Sequence, residues 1–294
     1  SNTTNFFRIF QSFATLTTCK KMIKIVTIMA VNIIPLCKLI LNLNKKLTKK
    51  ILITGCAGFI GFNLSKYYLN KGYSVIGIDN LITGSENNIS SLKKYSKFDF
   101  INHDIRKKLF LKTKIDFILH FACPASPKDY YLLPIFTLET GAIGTKNILD
   151  LAVEKNCKIL VASTSEIYGN PEISPQKENY FGNVNTIGPR SVYDEAKRFQ
   201  ESITMAFHRK FGLDIKIARI FNTYGPGMRL DDGRVITNFI SQILNNKNLT
   251  VYGDGSQTRS FCYIDDLVFG IDLLMRSDYN FPINLGNDDE ISIM

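Results

Sequence analysis

The sequence lacks the cysteine and histidine spacings that hold metals or disulfides. Its six cysteines are scattered through the chain without a C-x-x-C pair, and its three histidines stand at no metal-ligand spacing. Cysteines used in this way are typical of a protein in a reducing compartment. We therefore predict neither a metal site nor a disulfide framework.

Acidic residues are absent from the first 50 positions, which contain nine Lys or Arg. Of the 36 Lys and Arg in the chain, the other 27 are matched by 26 acidic residues, so nearly all of the formal net charge of +10 belongs to this leader. Because the rest of the chain is close to neutral, the charge does not indicate a nucleic-acid-binding face. We expect no nucleic acid among the partners.

The leader also lacks a long hydrophobic run. Its uncharged stretch Ile25–Cys37 includes Pro35 and is too short for a membrane-spanning helix, which needs about 20 residues. We predict residues 1–49 to be a basic leader that is disordered or serves in targeting; sequence upstream of a start at Met22 is the alternative. The expected location is the cytoplasm, or a Golgi membrane or another organelle if the leader targets or anchors the chain.

From residue 50 onward, short apolar runs alternate with longer amphipathic ones. This alternation predicts an α/β fold of the Rossmann type, a doubly wound parallel sheet covered by helices, without internal repeats. The predicted strands are Lys50–Thr54, Ser74–Ile78, Phe98–Asn102, Asp116–Phe121, Lys158–Ser163 and Ile215–Ile220. The predicted helices are Phe62–Asn70, Thr137–Asn156 and Val192–Phe211.

The pattern becomes less regular after Phe221. Turn-forming clusters are followed by a predicted helix at Val235–Leu244 and by short predicted strands at Leu249–Tyr252 and Pro282–Leu285. We predict a first domain over residues 50–221 and a smaller substrate-binding lobe over residues 222–294, interleaved with it. Open α/β sheets bind ligands at the carboxyl ends of their strands, so we expect the cleft there.

A glycine-rich loop, Thr54–Gly61, joins the first predicted strand to the first predicted helix. Gly55, Gly58 and Gly61 have the spacing that lets the chain turn tightly, approach a pyrophosphate and present helix N–H groups to it. Asp79 ends the second strand, where its carboxylate can accept from both adenosine-ribose hydroxyls and would repel a 2′-phosphate. We therefore predict that the first domain binds NAD rather than NADP; an ordinary strand–turn–helix is the alternative.

Tyr193 and Lys197 lie four residues apart on one predicted helix, and therefore on one face of it. A nearby ammonium stabilises a phenolate, which lowers the pKa of a tyrosine from its reference of about 10 toward neutrality. Such a tyrosine can take a hydroxyl proton while a hydride leaves the same carbon for a nicotinamide. Thr164 can hold the substrate oxygen, although the hydroxyls of Ser163–Ser165 could instead only cap a turn.

These residues resemble the extended short-chain dehydrogenases, the epimerase/dehydratase family that acts on sugar nucleotides. Longer strings over about 50–287 are similar to those of the UDP-glucuronate decarboxylases. The strings are Cys-Pro-Ala-Ser-Pro (123–127), Ser-Thr-Ser-Glu-Ile-Tyr-Gly (163–169), Tyr-Asp-Glu-Ala-Lys-Arg (193–198), Ala-Arg-Ile-Phe-Asn-Thr-Tyr-Gly-Pro (218–226), Asp-Asp-Gly-Arg-Val (231–235) and Tyr-Gly-Asp-Gly-Ser-Gln-Thr-Arg-Ser-Phe (252–261).

The resemblance implies roles for individual residues. It implies substrate contacts by Asn147, Tyr193, Asn222 and Arg259, the last two near the diphosphate, with a surface ion pair as the alternative for Arg259. It also implies a homodimer paired through helices at 140–156 and 192–211. In addition to Gly55 and Gly61, the resemblance implies cofactor contacts at Gly58, Phe59, Ile60, Asp79, Asn80, Thr83, Gly84, Asp104, Ile105, Thr140, Ala162, Tyr193, Lys197, Thr223 and Arg234.

The activity implied by the resemblance is NAD-dependent decarboxylation of UDP-glucuronate to UDP-xylose through a transient 4-keto intermediate. Dehydratases of the family carry an Asp directly after the threonine, and here Ser165 takes that place and cannot act as a carboxylic acid. A β-keto acid loses carbon dioxide readily, so Glu166 is needed only to orient or transfer a proton. The alternatives are another sugar-nucleotide 4-epimerase or 4,6-dehydratase, or an inactive NAD-binding homologue.

Three features depart from the family pattern. Glu139 stands where a lysine usually contacts the acidic sugar, so we expect it to repel the substrate carboxylate. Gly141 replaces a usual asparagine and should weaken the start of the following helix. The family's final segment does not follow Met294, so we expect an incomplete C-terminal lobe and NAD binding without efficient turnover.

Overall fold

The computed structural model of the protein describes residues 49–251 and 253–294, so the prediction for the leader lies outside the described residues apart from Lys49. The strands are β1 (Lys50–Thr54), β2 (Ser74–Asp79), β3 (Phe98–Asn102), β4 (Phe117–His120), β5 (Lys158–Thr164), β6 (Ile215–Ile220), β7 (Thr223–Tyr224), β8 (Thr258–Ser260), β9 (Cys262–Tyr263), β10 (Pro282–Leu285) and β11 (Glu290–Ser292). The α-helices are α1 (Phe59–Asn70), α2 (Glu86–Leu92), α3 (Pro127–Leu132), α4 (Pro134–Glu139), α5 (Thr145–Lys155), α6 (Ser191–Phe211), α7 (Val235–Leu244) and α8 (Ile264–Arg276). A π-helical turn, Thr140–Gly144, joins α4 to α5, and a 3-10 turn, Ser165–Tyr168, follows β5.

Seven strands form one parallel sheet in the order β10-β6-β5-β4-β1-β2-β3. Because β1 lies between β2 and β4, the chain winds outward from it in both directions, and the loops after β1 and β4 diverge. Open α/β sheets bind ligands at this switch point. The predicted doubly wound parallel sheet is confirmed.

Apolar strand residues are buried on both faces of the sheet, as is usual for parallel strands. On β1, Ile51 and Ile53 belong to one core cluster and Leu52 to the other, and all three are fully buried. Helices α1 and α8 cover the first face, and α5 and α6 cover the second. The two helical layers fix the strand ends at which the predicted site residues lie.

The predicted helix Thr137–Asn156 is interrupted by the π-helical turn between α4 and α5. This turn packs closely on α6, because a Cβ on Gly141 would lie 2.8 Å from the Cβ of Ala196. A Cβ on Gly144 would lie 2.7 Å from Cδ1 of Ile105. Gly141 therefore lets two helices approach each other, while the expectation that it weakens the start of the following helix stays a prediction.

The predicted strand Leu249–Tyr252 is wrong over the part that the structure describes, residues 249–251. Thr250 is held by α7 instead: its N–H donates to Oε1 of Gln242 at 3.0 Å, and Nε2 of Gln242 donates to the Thr250 hydroxyl at 2.8 Å. The Gln242 side chain therefore satisfies the backbone N–H of Thr250, which would otherwise be available to a strand ladder. The other predicted strands and helices form, some with shifted ends.

Residues 222–294 contribute to more than one layer. Strand β10 pairs with β6 at one edge of the main sheet, beginning with Pro282, and α8 packs against α1. An edge strand tolerates a proline because one side of its backbone has no ladder partner. Two small sheets, β7 with β9 and β8 with β11, complete the segment. Among the described residues, no helix has the length and apolar character needed to cross a membrane.

Candidate active site

A cleft of about 620 Å³ opens where the loops after β1, β4, β5 and β6 meet. The N-terminal part of α6 and segments of residues 222–294 complete its walls. The structure thus brings together most of the predicted cofactor and catalytic residues. Those that line the cleft are Gly55, Gly58, Phe59, Ile60, Gly61, Thr83, Ala162, Thr164, Ser165, Glu166, Tyr193, Lys197, Asn222, Thr223, Arg234 and Arg259.

The turn after β1 requires its glycines. Gly55 has a φ of 74°, and a Cβ there would lie 2.8 Å from the carbonyl carbon of Phe121. A Cβ on Gly61 would lie 2.1 Å from the carbonyl oxygen of Gly55. Helix α1 then begins at Phe59 without an acidic residue in its first turn, so its N-terminal N–H groups and dipole are available to an anion. The loop fits the pyrophosphate of a dinucleotide.

Asp79 ties together two loops on the cofactor side. Its Oδ2 accepts from the N–H of Ala57 at 3.0 Å, and its Oδ1 accepts from the N–H of Leu81 at 2.9 Å. Burial raises the pKa of this carboxyl, while the backbone hydrogen bonds act in the opposite direction. A carboxylate has about four acceptor sites, so capacity remains for ribose hydroxyls. The glycine loop and Asp79 together fit NAD.

Tyr193 and Lys197 project from α6 toward the end of β5. The Lys197 ammonium donates to the carbonyl of Ala162 at 2.8 Å and lies 5.9 Å from the centre of the Tyr193 ring. That ring stacks on Tyr130, with centroids 5.1 Å apart, and its hydroxyl forms a hydrogen bond with Thr164. The three residues predicted to act together are therefore assembled at one place.

The pKa of Tyr193 does not follow the sequence prediction. Burial raises this pKa above its ordinary value and outweighs the hydrogen bond with Thr164 and the charge of Arg234, which lower it. Burial also lowers the pKa of Lys197. Because the site disfavours both charged forms, Lys197 alone does not bring the tyrosine toward neutrality, and that expectation is corrected.

Glu166 lies on the 3-10 turn that follows β5. The hydroxyl of Thr164 accepts from the N–H of Glu166 at 3.3 Å, so the residue that contacts Tyr193 also caps this turn. The Glu166 carboxylate forms an ion pair with Arg190, which immediately precedes α6. Both members of the pair line the cleft. Capping a turn is therefore only part of what the hydroxyls at 163–165 do.

A buried polar network centred on His120 supports the cleft. The hydroxyl of Thr54 lies 2.8 Å from Nδ1 of His120, and Nε2 lies 3.0 Å from the hydroxyl of Thr145. Gln200, on α6, donates to the same Thr145 oxygen at 2.6 Å. Burial, reinforced by the charge of Lys197, lowers the pKa of His120 to about 3, so the imidazole is neutral. The network joins the ends of β1 and β4 to α5 and α6.

Arg219 makes a second connection, between β6, α6 and the end of β5. Its guanidinium donates to both carboxylate oxygens of Glu201 on α6, at 2.9 and 2.8 Å. The hydroxyl of Ser163 donates to Glu201 at 2.6 Å, and Arg219 also donates to the Tyr168 hydroxyl at 2.9 Å. These bonds fix both ends of the segment that carries Thr164 and the 3-10 turn.

Several predicted site residues do not line the cleft, among them Asn147. Its amide donates to the carbonyls of Ile105 and Arg106 at 2.9 and 3.0 Å, so it holds that turn, and its contact with a substrate stays a prediction. The Thr140 hydroxyl donates within its own helix, to the carbonyl of Phe136 at 2.7 Å. The predicted residues outside the lining are Asp79, Asn80, Gly84, Asp104, Ile105, Thr140 and Asn147.

Glu139 shares the guanidinium of Arg106 with Asp104. Its carboxylate lies 2.5 Å from Nη1 of Arg106, whose other nitrogens bind Asp104 at 2.7 and 3.0 Å. Glu139 is also absent from the cleft lining. The expected repulsion of a substrate carboxylate by Glu139 stays a prediction, with part of the charge of Glu139 offset by Arg106.

Cys123, Tyr130 and Arg190 are among the cleft residues that were not predicted as site residues. Cys123 and Tyr130 follow β4, and the string Cys-Pro-Ala-Ser-Pro marked their segment without indicating a contact. Arg190 stands three positions before Tyr193, so helical spacing could have placed it near the site. Its pairing with Glu166 depends on tertiary structure and has no signal in the sequence.

Comparisons with known proteins agree with this site. A model described as the NAD dependent epimerase/dehydratase family matches residues 51–286. UDP-glucuronic acid decarboxylase 1 of Xenopus tropicalis is 48% identical over 252 residues, covering 86% of this chain and 59% of that protein. UDP-glucuronic acid decarboxylase 6 of Arabidopsis thaliana is 49% identical over 246 residues, covering 83% of this chain and 71% of that protein. The chain thus spans less than two thirds of the length of the Xenopus relative.

Solved structures share the fold. The UDP-glucose 4-epimerase of Thermotoga maritima, with UDP-glucose, has a TM-score of 0.76 and 27% identity, covering 83% of this chain and 79% of that one. The UDP-glucuronic acid 4-epimerase of Bacillus cereus, in complex with NAD, has a TM-score of 0.70 and 33% identity over the same shares of the two chains.

Proposed function

The chain belongs to the NAD dependent epimerase/dehydratase family, and from this premise we propose that it catalyses the decarboxylation of UDP-glucuronate to UDP-xylose. The observation that carries the proposal is the Thr164–Glu166 turn, which lies against Tyr193. Tyr193 supplies a base for oxidation at C4, and Ser165 leaves the turn without a second carboxylic acid that could expel a hydroxyl. Identities of 48–49% to UDP-glucuronic acid decarboxylases support the same substrate.

The glycine loop and Asp79 would hold the cofactor, together with Lys197 and Thr223 of the cleft lining. When bound, NAD accepts a hydride from C4 of the sugar and returns it at the end of the cycle. Helix α1 contributes its N-terminal N–H groups to the pyrophosphate. The chain's part in this exchange is to bind and orient both molecules.

Tyr193 takes the proton of the C4 hydroxyl while Thr164, its hydrogen-bond partner, holds the same oxygen. Lys197 is fixed by the carbonyl of Ala162 and stabilises electrostatically the phenolate form of Tyr193, which accepts this proton and becomes a phenol. Because burial raises the pKa of Tyr193, proton transfer depends on charges gathered in the complete site rather than on Lys197 alone. The stack with Tyr130 keeps the ring in place.

Loss of carbon dioxide needs little further help from the protein. A ketone at C4 makes the glucuronate a β-keto acid, and the electrons of its C5–C6 bond move into that ketone as carbon dioxide leaves. Ser165 and Glu166 line the cleft and are suited to orient the resulting enolate and the proton that C5 gains. A dehydratase would need an acid at the position of Ser165.

We also propose a homodimer formed through the α5–α6 side of the chain. Phe199 on α6 and Ile143 on the π-helical turn are large apolar residues with about half of their surface exposed. Clustered exposed apolar side chains mark interaction surfaces. Sedimentation analysis should show a dimer for the natural sequence and a monomer for Phe199→Glu, whereas a monomeric natural chain contradicts this proposal.

Incubation with NAD and UDP-glucuronate, followed by mass analysis of the nucleotide sugar, tests the activity. The product should be lighter than the substrate by one carbon dioxide. A 4-epimerase would leave the mass unchanged, and a dehydratase would remove water. The Tyr193→Phe variant is the control for contaminating activity. Unchanged UDP-glucuronate in the presence of bound NAD would contradict the proposed function.

A further inference from the structure

The Arg190–Glu166 ion pair lies inside the cleft, where a substrate can reach it. About half of the Arg190 side chain is exposed, at 51%, and about a third of the Glu166 side chain, at 33%. Glu166 is linked to the reacting region, because its N–H donates to the hydroxyl that contacts Tyr193. Any acidic group that binds next to this hydroxyl therefore meets a guanidinium that already has a carboxylate partner.

The other basic groups of the cleft are engaged by partners that the proposed reaction does not use. They are Lys197 with the carbonyl of Ala162 at 2.8 Å, Arg229 with Asp129 at 2.9 Å, Arg234 with Asp232 at 3.3 Å and Arg259 with the carbonyl of Thr258 at 2.6 Å. Among the basic residues described in the cleft, Arg190 differs in that its partner, Glu166, is a candidate for proton transfer.

We propose that Arg190 recognises the carboxylate of the uronate, and that Glu166, released from Arg190, takes up a proton when the substrate binds. The inference rests on the proposed function, since an acidic sugar is what brings the second carboxylate. A guanidinium forms its best bidentate bond with one carboxylate at a time. Two carboxylates at one site cannot both stay ionised at low cost, so one of them gains a proton.

The charged groups around Glu166 act in both directions. On α6, burial raises the pKa of Asp194 and the charge of Arg190 lowers it, so Asp194 interacts with the same guanidinium as Glu166. Tyr193 on α6 and Tyr130 on α3 are uncharged, because burial raises the pKa of each. From residues 222–294, Arg229 and Arg234 face the cleft with their charges balanced by aspartates. The substrate carboxylate enters beside Glu166 and takes over its counter-ion, Arg190. Substrate binding therefore favours the protonated form of Glu166.

The proton taken up by Glu166 is one that the reaction consumes. As carbon dioxide leaves, the C5–C6 electron pair moves into the C4 ketone and forms an enolate. Glu166 then gives its proton to C5, the enolate electrons form the new C–H bond, and the ketone is restored. Glu166 is again a carboxylate and returns to Arg190. One proton is used for each uronate carboxylate that becomes carbon dioxide, so the balance closes.

Calorimetric titration of the full chain tests the proposal. UDP-glucuronate is added in the presence of NADH, which cannot accept a hydride, in buffers of equal pH and different ionisation enthalpy. Binding near pH 7 should take up about one proton for each molecule bound, and above neutral pH the affinity should fall as protons become scarce. UDP-xylose lacks the carboxylate and should bind without proton uptake.

Variants separate the two residues. Arg190→Gln should weaken UDP-glucuronate binding by at least about tenfold and leave UDP-xylose binding within about twofold. Glu166→Gln should still bind UDP-glucuronate but take up no proton. Arg209→Gln is the matched control, because Arg209 is an exposed arginine at the other end of α6 and should change neither quantity. Retained NADH affinity shows that each variant is folded.

The outcomes distinguish this inference from the function on which it rests. If UDP-glucuronate binds to the natural sequence without proton uptake, or if Glu166→Gln takes up the same proton, the inference is overturned and decarboxylation stands. If the NADH-bound chain does not bind UDP-glucuronate at all, both are overturned. Proton uptake by the natural sequence on binding UDP-glucuronate tests the inference even if a variant does not fold.

Discussion

At the scale of single residues, the proposed chemistry depends on the hydroxyl of Tyr193. Replacing Tyr193 with Phe keeps the ring that stacks on Tyr130 and removes only the group that bonds to Thr164. Turnover of UDP-glucuronate should fall by at least about a hundredfold, the lower range for a positioned acid or base, while NAD affinity is retained. Steady-state kinetics and fluorescence titration measure the two quantities. Tyr131→Phe, in the same cleft, is the control, and full activity in Tyr193→Phe would assign the proton transfer to another group.

His120 links a residue's protonation to the stability of the whole chain. Its folded-state pKa of about 3 lies below the usual value near 6.5, so between those pH values the unfolded chain binds a proton that the folded chain does not. Stability from this group is complete above about pH 6.5 and is lost as the pH falls, by about 2 kcal/mol at pH 5. Urea unfolding at pH 7 and pH 5 should show a smaller loss in His120→Gln than in the natural sequence. His103→Gln, outside the network, should behave like the natural sequence, and equal losses in all three chains would contradict the argument.

At the scale of elements, the close approach of the π-helical turn to α6 depends on Gly141. A methyl group there would meet Ala196, and α6 carries both Tyr193 and Lys197. Gly141→Ala should therefore cost about 1–3 kcal/mol of stability, the usual range for overpacking, and should lower turnover as well. Thermal unfolding measures the first effect. Gly270→Ala on α8, where a Cβ would meet no atom closer than 3.6 Å, is the matched control, and a Gly141→Ala chain as stable as the natural one would show that the helices separate easily.

Sequence patterns predicted the strands well because each buried strand is a short, continuous apolar run. They also drew attention to Tyr193 and Lys197, whose spacing is local, and to Thr164, which ends a buried strand. The π-helical turn and the close approach of Gly141 to Ala196 were missed, because helical periodicity contains neither of them. Pairings between distant segments were missed for the same reason, among them Glu139 with Arg106 and Arg190 with Glu166.

At the scale of the whole molecule, cofactor binding should stabilise the chain, because the loops after β1 and β2 meet through Asp79. At a hundred times its dissociation constant, a ligand that binds only the folded state adds about 2.7 kcal/mol. NAD should raise the melting temperature at concentrations at least about tenfold lower than NADP requires, since Asp79 would face the 2′-phosphate. Differential scanning fluorimetry measures both. Equal shifts in melting temperature with the two cofactors would show that Asp79 does not select NAD over NADP.

The pairing of β10 with β6 determines how long one edge of the main sheet stays unpaired while the protein is synthesised. Strand β6 is complete at Ile220, but the strand that covers its outer edge ends only at Leu285. At translation rates of about 5–20 residues per second, that edge waits several seconds on the ribosome with its backbone N–H and C=O groups unpaired. An open strand edge can pair with another chain. The nascent protein is therefore most exposed to aggregation after the nucleotide-binding half has folded and before its final parallel strand has emerged.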